Sequence, residues 1–95
     1  MLVFICIAYT RERALEIGGP SLTWRFGTLE RALEVSIVGT PADAVERLVA
    51  LHQAGVRYVH LRPVTRDAAA WKAMAQWIAS DVLPPVRHRV RSIRQ

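Results

Sequence analysis

Residues 39–63 read GTPADAVERLVALHQAGVRYVHLRP, and this stretch decides the fold. Thr40 suits a helix N-cap, Pro41 the first helical position where its missing N–H costs nothing, and Asp43 the first turn near the positive end of the dipole. A helix is expected over 41–54, with Val45, Leu48, Val49 and His52 on one buried face and Asp43 paired with Arg47 at i,i+4 on the other. Gly55 ends it in the left-handed conformation, with Val56 touching Leu51. From Arg57 to Arg62 the pattern changes to a period of two. Val59 and Leu61 face one way, Tyr58, His60 and Arg62 the other, and Pro63 closes an expected strand over 57–62.

Working outward, residues 2–8 (Leu-Val-Phe-Ile-Cys-Ile-Ala) form a continuous apolar run rich in β-branched side chains, as a covered parallel strand requires. Thr10 caps a helix expected over 11–17, with Ala14 and Ile17 inward, which Gly18-Gly19-Pro20 then stops. After a turn at Gly27, Thr28 opens a short helix over 29–35, and the aromatic pair Trp24 and Phe26 is expected to pack against neighbouring helices. Thr65 or Asp67 opens a last helix over 66–83, whose stripe Trp71, Met74, Ala75, Ile78 and Val82 is expected in the core. Pro84-Pro85 ends that helix, leaving a domain over 1–86 and a frayed basic tail over 87–95. Two strands joined through helices must be parallel if they are neighbours in one sheet.

Apolar residues make up 52% of the 95-residue chain and charged ones 22%, a balance suited to one folded core rather than a disordered linker. The net charge is +5, of which Arg87, Arg89, Arg91 and Arg94 supply four, so the body is nearly neutral and a nucleic-acid partner is disfavoured. The single Cys6 permits no intrachain disulfide, and the cytoplasm is the expected compartment. No apolar run approaches the roughly 20 residues that cross a bilayer. His52, His60 and His88 fall on a helix, a strand and the tail, without Cys or carboxylate at metal-ligand spacing, so no metal site is expected. His52 reads as a packing residue and Cys6 as a small apolar filler.

The ordered segments Val38-Gly39-Thr40-Pro41-Ala42-Asp43-Ala44-Val45-Glu46-Arg47-Leu48, Ala54-Gly55-Val56, Val59-His60-Leu61-Arg62-Pro63 and Asp81-Val82-Leu83-Pro84, preceded by Ala8-Tyr9-Thr10-Arg11-Glu12-Arg13-Ala14, resemble the luciferase-like flavin-dependent oxidoreductases and monooxygenases. The resemblance implies an α/β fold of partial TIM (β/α)8 type, carrying the last two strand-and-helix units at the carboxy-terminal end of a barrel. It implies FMN or a deazaflavin coenzyme in the full-length family, with substrate and flavin at the carboxyl ends of the strands. A whole barrel needs about 250 residues, and the family's glycine-rich segment near the flavin phosphate has no counterpart here. The expectation is therefore a fragment that is inactive alone and binds no cofactor tightly.

His60 and Arg62 are the candidate pocket residues: Arg62 to pair with an anionic group, His60 to donate a hydrogen bond or shuttle a proton. Against this, both could plug the barrel interior or bond to backbone. Two parallel strands make a poor sheet by themselves, so self-association, or pairing with the missing barrel portion, is the competing expectation. Binding of nucleic acid through the Arg-rich tail is a third.

Overall fold

The structure is a computed structural model that describes residues 1–65 and 67–94, and the side chains of residues up to 91 among these. Arg66, the expected first residue of the last helix, and Gln95, the end of the expected tail, lie outside the described residues.

Strand β1 (Leu2–Ile7) has a neighbouring strand on each edge, and it buries Val3, Ile5, Cys6 and Ile7 because helices pack on its faces. It pairs in parallel with β2 (Ile37–Gly39), Ile5 opposite Ile37 and Ile7 opposite Gly39, and in parallel with β3 (His60–Pro63), Leu2 opposite His60 and Phe4 opposite Arg62. The result is an open α/β sheet of three parallel strands in the order β2-β1-β3. The two expected strands are neighbours and parallel. β2 was not expected: three residues, Ile37, Val38 and Gly39, are too short to display alternation.

Helix α1 (Arg11–Phe26) begins where expected, with the Thr10 hydroxyl accepting from the Arg13 N–H at 3.1 Å. It does not stop at residue 17 but runs through Gly18-Gly19-Pro20 to Gly27, whose φ of +91° ends it. The glycine pair serves packing instead. A Cβ on Gly18 would lie 2.9 Å from the Cys6 Cβ and 3.0 Å from its Sγ, so only glycine lets α1 lie this close to β1. Phe26 then meets Phe4 edge-on, with ring centroids 5.9 Å apart, and the Arg25 guanidinium lies over the Phe4 ring. Thus Phe26 packs on the sheet rather than on a helix, and Trp24 stands 86% exposed.

Helix α2 (Leu29–Val35) is capped by Thr28, and α3 (Pro41–Gln53) by a reciprocal capping box between Thr40 and Asp43. Val45, Leu48 and Val49 are buried, whereas His52 is half-buried. The expected Asp43–Arg47 pair is not formed. Asp43 accepts from Arg11 at 3.0 Å, and Arg47 donates to the carbonyls of Leu33 and Glu34, closing the end of α2. The Val56 N–H bonds to the Leu51 carbonyl and the Gly55 N–H to that of His52, with Gly55 at φ +101°.

Asp67, of the two candidates, caps α4 (Ala68–Trp77), accepting from the Ala70 N–H at 2.7 Å. Met74, Ile78 and Val82 are buried as expected, but Trp71 is 47% exposed. The prolines do not end the helical run. In an uninterrupted α-helix, Pro84 and Pro85 would press on the Ser80 and Asp81 carbonyls and leave them without donors. A π-helical turn (Ile78–Val82) relieves this, with the Leu83 N–H reaching the Ile78 carbonyl, and α5 (Leu83–Arg94) follows. The expected frayed tail is therefore helical through Arg94, and no break falls at residue 86. Val86 and Val90 are half-buried, and Arg89 pairs with Glu46 of α3.

Because the chain steps from β1 to β2 on one side and then back across β1 to β3, right-handed connections put α1 and α3 on opposite faces. Cys6 and Phe4 look toward α1; Val59 and Leu61 share a groove with α3 and α5.

Gly18→Ala should destabilise the fold by about 1–3 kcal/mol through the clash at Cys6. Gly19→Ala, whose added Cβ meets nothing closer than 3.9 Å, should be neutral or gain up to about 1 kcal/mol from helix propensity. Urea unfolding of both variants compares them directly.

Candidate functional site

The hydrogen-bond ladder decides what β3 offers to a ligand. The His60 N–H bonds to the Met1 carbonyl at 2.7 Å and the Val64 N–H to that of Ile5 at 2.8 Å, so the backbone groups of His60, Arg62 and Val64 are turned toward β1. Those of Val59, Leu61 and Pro63 are turned outward, at the β3 edge of the sheet. Pro63 has no N–H to present, which limits the edge to the groups around Leu61.

His60 and Arg62 lie together on one face of β3, as the period of two predicted, and both are exposed. Tyr58, just ahead of the strand, is 86% exposed. The structure does not gather them into a pocket: among the described residues no helix covers their side chains, and neither residue lines the clefts described next. On the opposite face, Val59 and Leu61 form the floor of a groove of about 180 Å³, walled by Leu48 and Val56 on one side and by Val86 and Val90 on the other. Arg57 stands beside it and donates to the His52 carbonyl at 3.1 Å. The α5 wall was missed in the sequence because Pro84-Pro85 was read as a stop. The i,i+4 spacing of Val86 and Val90 was the signal that could have found it.

Two further clefts bring charged groups of both signs next to the sheet. One, of about 570 Å³, lies at the carboxyl ends of β1 and β3, between Arg13, Glu16 and Ile17 of α1 and Thr65, Asp67 and Ala70. In open parallel sheets ligands bind at such ends, but here Arg13 is paired with Glu16 at 2.9 Å and Asp67 is occupied in capping α4. The other, of about 330 Å³, borders β2 and includes Arg11, Asp43, Arg47 and Ser36. The Ser36 hydroxyl is buried without a hydrogen-bond partner among the described residues.

The Asp43 carboxyl is held below the usual carboxylate range, chiefly by the hydrogen bond from the Thr40 N–H and next by that from Arg11. Burial pushes the Cys6 thiol up to about 11, and its Sγ lies 3.5 Å from the Ala14 carbonyl, so it is a packing group and not a nucleophile. Among the described residues no three His, Cys, Asp or Glu side chains come together to hold a metal ion, and no helix is long and apolar enough to cross a membrane.

Fold and site together define a small parallel α/β domain with a free strand edge, apolar on one side and bearing the exposed His60 and Arg62 on the other. Comparison with protein-family models, with curated proteins and with solved structures found no match.

Asp43 is ionised more readily folded than unfolded, so its stabilising effect is complete above the ordinary carboxylate pKa and is lost as pH falls through the lower folded value. Denaturation midpoints measured on both sides of that window should drop in acid for the wild type and drop less for Asp43→Asn. Cys6 should react with a thiol reagent only under unfolding conditions; rapid labelling of the folded chain would contradict its burial.

Proposed function

We propose that this chain is a strand-accepting binding module, derived from the carboxy-terminal part of a luciferase-like flavin- or deazaflavin-dependent oxidoreductase and without redox catalysis of its own. The observation that carries the binding role is the outer edge of β3, where the Leu61 backbone groups face outward with no neighbouring strand among the described residues. Edges of this kind attract another strand, and the module works by receiving one.

The descent is supported by the ordered family-like text from Val38 to Pro63 and by β1 and β3 lying side by side and parallel. In this reading the two strands are the last of a partial barrel, the face bearing His60 and Arg62 once looked inward toward FMN or deazaflavin, and oxidoreductase or monooxygenase activity requires the missing barrel portion. The order β2-β1-β3, with helices on both faces, is what separates the present chain from such a barrel. Its setting in this account is the cytoplasm.

A second reading has one observation in its favour: α5 presents Arg87 and Arg91 exposed and one turn apart, a spacing suited to nucleic-acid phosphates. RNA binding that weakens steeply with added salt would favour this reading over the edge.

In dilute chain the amides of His60 and Arg62 should exchange slowly and that of Leu61 at the rate of an open edge, as read by NMR hydrogen exchange. A protected Leu61 amide would mean that the edge is already closed, and the binding role would fall. FMN or deazaflavin titrated into the chain should give no tight complex; a defined one-to-one complex would overturn the non-catalytic part.

A further inference from the structure

We infer that the partner received at β3 is an extended peptide that alternates acidic and apolar residues. The inference rests on the strand-accepting reading above and names the chemistry of its partner.

Side chains directly opposite one another on paired strands share a face of the sheet. A residue added opposite Leu61 therefore points its side chain toward the groove between α3 and α5, whose walls at Leu48, Val56, Val86 and Val90 are apolar. Residues added opposite His60 and Arg62 point to the other face, where these two side chains are exposed and uncovered. An apolar residue flanked by acidic ones satisfies both faces at once, and the Leu61 N–H and carbonyl supply the main-chain bonds. Pro63 bounds the site, because its nitrogen has no proton to donate.

A second copy of the chain fits less well. Two β3 edges paired antiparallel about Leu61 would set His60 of each against Arg62 of the other, so that neither basic side chain meets a carboxylate partner. The Lys-rich or Arg-rich strand is disfavoured for the same reason. Recognition here is by charge complementarity on one face and burial on the other.

The test uses two blocked, fluorescent probe peptides, Glu-Val-Glu-Val-Glu and Lys-Val-Lys-Val-Lys, titrated into the full chain at low salt by anisotropy, with Leu61 amide exchange followed in parallel. The Glu peptide should bind and protect Leu61, and the Lys peptide should bind about five- to tenfold more weakly. Arg62→Glu, an exposed substitution that leaves the core intact, should abolish or invert that preference. Equal protection of Leu61 by both peptides would overturn the acidic partner while leaving the strand-accepting reading in place. A preference unchanged in Arg62→Glu would also overturn it, and failure of both peptides to protect Leu61 would end both proposals.

Discussion

The parallel hydrogen-bond ladder on both edges of β1 is the constraint on which the rest depends. A parallel strand leaves half of its backbone groups facing each way, and burying it demands a neighbour on either side. β2 and β3 meet that demand for Ile5, Cys6 and Ile7 and for Leu2 to Ile5 respectively. Once β1 is central, the connections must cross in opposite directions, the helices must divide between the two faces, and the outer strand edges must be left without partners of their own.

Packing follows from that division. On one face α1 approaches Cys6 through the bare Cα of Gly18, and the contact leaves Cys6 fully enclosed. On the other, α3 and the long run from α4 through the π-helical turn to α5 close over Val3, Ile5 and Ile7, with Ile78 and Val82 in the same cluster. The two faces are not equally covered. α1 shields Cys6 and part of Phe4, but among the described residues His60 and Arg62 stay exposed, so the same connectivity that buries β1 leaves β3 open on one face and at its edge.

Local chemistry was legible in the sequence wherever a residue acts on its immediate neighbours. The caps at Thr10, Thr28 and Thr40, the helix end at Gly55 and the alternation through His60 and Arg62 each involve groups within a few residues. The failures have a common cause. Gly18-Gly19-Pro20 and Pro84-Pro85 are breakers by local preference, yet contact with Cys6 in the first case and a π-helical turn in the second outweigh that preference. β2 pairs with β1 and is packed by α1 and α3, all partners distant in sequence, and it is too short to show a pattern of its own. For the site, the shared face of His60 and Arg62 could be read from periodicity, but their exposure and the apolar groove behind Leu61 arise from which helices cover which face, a tertiary property.

NMR measurement of cross-strand proton contacts tests the central placement of β1 most directly. Contacts between Cys6 and Val38 on one side and between Val3 and Leu61 on the other, in the spacing of parallel strands, are the predicted result. Contacts on only one side of β1, or the pattern of an antiparallel pair, would contradict the account.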